Sequence, residues 1–259
     1  MSLRIRSWRL AVQLGSDWCS EEMRVLFVDR ADAGRRLASA LMPLKSADPV
    51  VLALPRGGVA VAAEVARALS APLEPMLVRK LGLPSNPELA MGALADGPEP
   101  VTVRNEDIIQ LAGVSEQVIA KVRDRELAEL ARRRRYYLGA RLPTSLADRT
   151  VIIVDDGIAT GATIRAALRA ARRQKPERLI LAVPVASSAA LDALREEADQ
   201  IICLHADAGS ASIGENYSSF PQLSDEEVIS LLDSCRRTEA DASAEPDHGR
   251  SGHGRAPTL

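Results

Sequence analysis

An α/β fold, in which helices cover both faces of a mostly parallel sheet of about five strands, is predicted by three observations. Short apolar runs bounded by turn residues alternate with segments of helical spacing. The composition, 46% apolar with only 3% aromatic, favours Ala, Val, Leu and Ile packed between helices and sheet over an aromatic-rich sandwich. The chain's 259 residues, 26% of them charged with a net charge of −2, can also bury a large core without metals or disulfides.

The elements follow in order. Residues 1–22 carry Arg4, Arg6 and Arg9 with no apolar run long enough for a signal-peptide core, and read as a loosely ordered extension. From Asp29 onward, Ala33, Leu37 and Leu41 recur at spacing four, a helix with one apolar stripe; Arg30, Arg35 and Arg36 fall largely off it, and Asp29 or Asp32 is its N-cap. Residues 50–54 form a buried strand ended by Pro55-Arg56-Gly57-Gly58, and Val59, Ala62, Ala63, Ala66 and Leu69 resume helical spacing. A second strand over residues 73–78 runs into Arg79-Lys80 and then into a Pro/Asn/Gly-rich stretch, residues 82–97, which reads as a long mobile loop.

Residues 101–103 suit a short strand, and 106–111 and 115–138 suit helices; residues 121–141 hold eight basic and three acidic side chains. The clearest strand is Val151-Ile152-Ile153-Val154, followed by a polar loop and a helix marked by Ile164, Ala167, Leu168 and Ala171. Residues 179–185 and 201–204 add two more strands around a helix near 189–197, with Pro184 expected at a strand end. The segment 238–259 is expected to be a disordered tail, and its His248 and His253 lack the surrounding partners that orient metal-bound histidines. Cys19, Cys203 and Cys235 lie far apart with no C-x-x-C, which fits a reducing cytoplasm. No run of about 18 apolar residues suggests a membrane span.

The chemistry concentrates in residues 151–163. A strand followed by adjacent carboxylates, Asp155 and Asp156, and by a Gly/Thr loop opening a helix stands at the usual ligand position of an open α/β sheet. Free amides at the helix entry, the helix dipole and the hydroxyls of Thr160 and Thr163 suit a phosphate monoester. Gly161 and Ala162 keep bulk away from it. The two carboxylates would repel phosphate and suit donors such as ribose hydroxyls. A plain polar turn capped by aspartate is the competing reading.

VIIVDDGIATGAT closely resembles the 5-phosphoribosyl-1-pyrophosphate (PRPP) signature of type I phosphoribosyltransferases, departing only at Gly157, where a larger apolar residue is commoner. Arg56, Gly57 and Gly58 resemble that family's pyrophosphate loop, and Arg79 and Lys80 its basic pair that reaches pyrophosphate. DRADAGRRLA, ALPRGGVAVAAEVA, VRKLGLPSNPELAMGA and YSSFPQLSDEEV extend the resemblance, to one branch of the family, across most of the chain.

The resemblance implies the three-layer phosphoribosyltransferase fold over residues 23–237, with a helical insertion near 105–140, a small hood near 205–223 and residues 82–97 as a mobile lid. It implies transfer of the 5-phosphoribosyl group from PRPP to a nucleobase-like nitrogen, with release of pyrophosphate. Asp155 and Asp156 would bind Mg2+ directly or through water and act with Arg79 and Lys80 in catalysis. Gly157, Ala159, Thr160, Gly161, Ala162 and Thr163 would hold the 5-phosphate, and Arg56, Gly57 and Gly58 the pyrophosphate.

Ala159 resembles the adenine-type pattern and removes one acid that could contact the base; Glu88 is a substitute for that acid. Tyr217 and Phe220 would either stack on the acceptor or pack the hood onto the sheet. A homodimer is expected from the family. The alternative function is a PRPP-sensing regulatory or accessory protein without turnover, with Arg132 to Arg135, Tyr136 and Tyr137 as a nucleic-acid patch; a solvated helix face is the preferred account of those residues.

Overall fold

The computed structural model describes residues 25–97, 100–139, 144–207 and 212–244, excepting the side chains of residues 88, 207 and 237–244. Helix α1 (Arg30–Leu41) is capped by Asp29, whose carboxylate accepts the Asp32 amide at 2.7 Å, and buries the stripe Ala33, Leu37 and Leu41. Arg30 departs from expectation: it is only 8% exposed, because its guanidinium finds partners from distant parts of the chain. Strand β1 (Val50–Ala53), helix α2 (Gly57–Leu69) and strand β2 (Leu73–Pro75) complete the first unit.

The predicted strand over 73–78 is in fact two pieces. It stops at Pro75, and strand β3 (Val78–Leu83) enters a different sheet with β4 (Asn86–Ala95) and β5 (Val101–Arg104), antiparallel and in that order. The stretch expected to be a long mobile loop is therefore mostly this hairpin. One of its breaker residues has a role in the sheet: a Cβ on Gly92 would stand 2.4 Å from the Val103 carbonyl, so the glycine marks close strand approach and not a loop.

Helices α3 (Glu106–Leu111) and α4 (Glu116–Leu138) follow, then β6 (Thr150–Val154), α5 (Ala162–Arg173), β7 (Arg178–Ser187), α6 (Ser188–Leu194), β8 (Gln200–Asp207) and α7 (Asp225–Ala244). The main sheet is wholly parallel, in the order β2-β1-β6-β7-β8. Val51, Ala53, Ile152, Val154, Ile180 and Ala182 pack on α1, α2 and α7, while Val50, Leu52, Val151, Ile153, Leu179 and Leu181 pack on α5 and α6. With both faces buried, the strands read as continuous apolar runs, each large side chain contributing about 1.5–3 kcal/mol of burial.

Pro184 lies inside β7 and not at its end. β6 has already ended at the pair Val154↔Ala182, and the β7–β8 register steps from Val183↔Cys203 to Val185↔His205 without a pair at Pro184. Helix α7 also continues to Ala244, into the segment expected to be disordered from 238. His248, His253 and Cys19 lie outside the described residues, as do 1–22. Cys203 and Cys235 are buried, and neither forms a disulfide among the described residues. No helix among the described residues is long and apolar enough to cross a membrane.

Candidate active site

The register Ala53↔Val154 places the carboxyl ends of β1 and β6 side by side, so the loops that follow them must meet. After β1 comes a cis Pro55-Arg56 peptide, with Arg56 at the N-cap position of α2. After β6 come Asp155 and Asp156. The contact is intimate: a Cβ on Gly57 would stand 1.9 Å from Asp156 Oδ2, and one on Gly58 would stand 2.9 Å from the Asp155 Cα. Only glycine at both positions lets the R-G-G loop close on the carboxylates.

The loop that follows β6 is pinned from the other side. The Ile158 amide donates to the Val185 carbonyl, the Ser187 amide donates to the Ile158 carbonyl, and the Ser187 hydroxyl donates to the Ala159 carbonyl at 2.7 Å. Gly161 takes a positive φ of 77°, a conformation that glycine adopts without strain, and starts α5. The Arg165 amide donates to the Gly161 carbonyl, which leaves the amides of Ala162, Thr163 and Ile164 at the helix mouth. Ala159, Thr160, Ala162 and Thr163 are exposed there, and α5 carries no acid in its first turn. A cavity of about 410 Å³ lies beside this turn, between Ala162 and Arg165 and the facing Gly92, Ala93 and Asn105.

The two carboxylates are not equivalent. Asp155 accepts the Asp156 amide at 2.9 Å, and burial, reinforced by the Asp156 charge, pushes its carboxyl well above the ordinary aspartate range. Asp156 is paired with Arg30 at 2.7 Å, and its carbonyl accepts the Tyr217 hydroxyl at 2.6 Å. Among the described residues, no group of three or more His, Cys, Asp or Glu could hold a metal. The adjacent aspartates still offer the hard oxygen donors that Mg2+ uses, one or two carboxylates completed by water and substrate oxygens.

The remaining predicted residues are placed differently. Arg79 donates from Nε and Nη2 to Glu126 Oε2 at 2.9 and 2.7 Å, so its fork is held by α4. Lys80 is exposed on β3 beside it. Arg56 lies 3.9 Å from Asp225 Oδ1, which also accepts the Tyr137 hydroxyl, and burial raises that phenol's pKa. Tyr217 is buried against Phe27 and Phe220, with ring centroids 5.3 and 4.8 Å away. Phe220 carries the Arg30 guanidinium 3.7 Å from its centroid, so both aromatic rings already pack against groups of the protein itself. On α4, Arg132 and Arg133 pair with Glu129, and Arg134 pairs with Asp96.

Three residues here were missed at the sequence level. Arg30 and Asp225 gave no signal beyond their membership of DRADAG and SDEEV. Ile213, which packs onto Gly157, left one hint: the small residue at position 157, where the signature usually has a larger one.

The family model for the phosphoribosyl transferase domain matches residues 29–217. Two Mycobacterium tuberculosis proteins, "Putative phosphoribosyl transferase MT0597" and "Putative phosphoribosyl transferase Rv0571c", are each 43% identical over 219 residues, covering 85% of this chain and 49% of theirs. The chain thus spans about half the length of these relatives. The crystal structure of TT1426 from Thermus thermophilus is similar with a TM-score of 0.67 and 40% identity, covering 80% of this chain and 97% of that one. Matched by that family model over residues 29–217, the chain belongs to the phosphoribosyl transferase family.

Proposed function

We propose that the protein binds PRPP with Mg2+ and transfers its 5-phosphoribosyl group to a nitrogen of a nucleobase-like acceptor, releasing pyrophosphate. The observation that carries this reading is the contact of Gly57 with Asp156, which sets a basic glycine loop against two carboxylates at neighbouring parallel strand ends. One loop suits the departing pyrophosphate, the carboxylates suit the ribose hydroxyls, and the mouth of α5 suits the 5-phosphate.

Within that reading, the amides of 162–164 with Thr160 and Thr163 hold the 5-phosphate and fix the sugar's orientation. Gly57 and Gly58 admit the pyrophosphate to backbone amides, and Arg56 meets its charge. Asp155 and Asp156 take the ribose hydroxyls and the metal. Asp155 and Asp156 would hold Mg2+, which would supply charge neutralisation for the departing diphosphate. Arg79 and Lys80 would join them by a movement of the β3–β4 hairpin that frees Arg79 from Glu126. Glu88, the candidate to take the acceptor's proton, lies on β4 with its side chain outside the described set.

A second reading, PRPP binding without turnover, is favoured by one observation: Arg79 and both hood aromatics are already engaged by the protein itself. Calorimetric titration with PRPP, with and without Mg2+, tests the shared part, and no heat in either condition would refute both readings. Pyrophosphate release with a panel of bases then separates them, since binding without release with any base would leave the sensing protein.

A further inference from the structure

The proposed chemistry leaves two sequence motifs unused, DRADAG at the start of α1 and YSSFPQ near residue 220, and the structure brings both onto one carboxylate. Arg30 Nε donates to Asp156 Oδ2 at 2.7 Å, and its Nη1 donates to the Pro221 carbonyl at 2.6 Å. The same guanidinium lies 3.7 Å from the Phe220 ring centroid. A Cβ on Gly57 would stand 1.9 Å from Asp156 Oδ2 and 3.0 Å from Arg30 Nε, so the pyrophosphate loop closes over this ion pair. Tyr217 grips the Asp156 carbonyl from the hood at 2.6 Å. Asp156 is therefore held at its carboxylate and at its backbone by residues from outside its own loop. Asp155 accepts the neighbouring amide.

We propose that Arg30 is a positioning residue of the PRPP site and that the two aspartates do unequal work. Asp156 is the fixed carboxylate, locked by Arg30 to the hood and to the R-G-G loop. Asp155 is the carboxylate left to engage the ribose hydroxyls and the divalent cation. The inference rests on the PRPP reading above and adds to it a division of labour and a mechanical link from α1 and the hood to the sugar site. Arginine suits the task because a planar fork can donate to a carboxylate and a carbonyl at once while stacking on a ring, which an ammonium cannot.

The test is calorimetric affinity for PRPP, with and without Mg2+, across Arg30→Gln, Arg30→Lys, Asp155→Asn, Asp156→Asn and the double variant Arg30→Gln with Asp156→Asn. A thermal melt of each variant accompanies the titrations. Arg30→Gln is expected to lose roughly tenfold or more in affinity, the scale of a lost charged hydrogen bond. Arg30→Lys, which keeps the charge beside Asp156, is expected to recover part of that loss. Asp155→Asn is expected to abolish binding, Asp156→Asn to weaken it, and the double variant to be no worse than its worse parent.

If Arg30→Gln melts below the assay temperature, Phe220→Leu takes its place in the cycle, with a smaller loss that disappears in the Asp156→Asn background. Wild-type affinity in the Arg30 variant, multiplying penalties in the double variant, or equal losses from the two aspartate variants would each overturn this inference alone. A wild-type protein that does not bind PRPP would overturn the functional reading, and this inference with it.

Discussion

Ile213 fills the space that a side chain on residue 157 would need. A Cβ on Gly157 would stand 2.2 Å from Ile213 Cγ2 and 3.1 Å from Val185 Cγ1. Gly157→Val must therefore push the segment that carries Ile213 off the loop after β6, at a cost of about 1–3 kcal/mol from overpacking. Ile213→Ala in the same chain should restore most of that stability, because the new methyl groups enter the vacated space. Urea denaturation of the two single variants and the double variant measures the coupling, and purely additive losses would show that the two residues do not compete for one space.

Asp155 links stability to pH in the ligand-free protein. Its folded-state carboxyl is raised above the ordinary 3.8, mainly by burial and then by Asp156, so the folded chain holds a proton that the unfolded chain has released. Stability contributed by this group is accordingly full below pH 3.8 and falls as the pH climbs through the raised value. Asp155→Asn keeps an oxygen for the Asp156 amide and removes the charge. It should raise the melting temperature at pH 8, lose that advantage toward pH 4, and abolish PRPP binding. A melting temperature at pH 8 at or below that of the wild type would contradict the expectation.

Glu126, with a side chain only 8% exposed, holds both Arg79 and Arg125. Glu126→Gln should cost about 1–3 kcal/mol, since it weakens a charged pair that is partly withdrawn from water. It should also release the Arg79 fork. If Arg79 serves the leaving group, titration with pyrophosphate and Mg2+ should show tighter binding in Glu126→Gln than in the wild type, and the gain should vanish when Arg79→Ala is added. Unchanged affinity would leave Arg79 as an anchor of α4 on β3.

The parts of the fold legible in the sequence are those whose determinants are local. Val151 to Val154 and the T-G-A-T that follows specify a buried strand, a loop and a helix entry within a dozen or so neighbouring residues, and the five-stranded parallel sheet follows from repeating that grammar. The β3–β4 hairpin was hidden because the reason for Gly92 lies in the Val103 carbonyl on another strand. Arg30 was hidden more deeply. Helical spacing puts it off the apolar stripe, and its partners Asp156 and Pro221 are 126 and 191 residues away. Tyr217 and Phe220 were visible as hood aromatics, yet whether they stack on a ligand or on protein depends on Phe27 and Arg30, which no local pattern connects to them.

Thr160 and Thr163 offer the cleanest separation of binding from folding. Both are exposed at the mouth of α5, beside amides left without helical partners, so removing either hydroxyl takes nothing from the core. Thr160→Val and Thr163→Val should leave urea stability within about 0.5 kcal/mol of the wild type, as for surface changes generally. Each should weaken PRPP binding by about 1–3 kcal/mol, the range for a hydrogen bond to a charged group together with the loss of water at its site. The same variants should lose little affinity for pyrophosphate alone, because the proposed function assigns that ligand to the R-G-G loop across the carboxylates. Equal losses for PRPP and pyrophosphate would place the diphosphate, and not the 5-phosphate, on α5 and would reverse the assignment of the two loops.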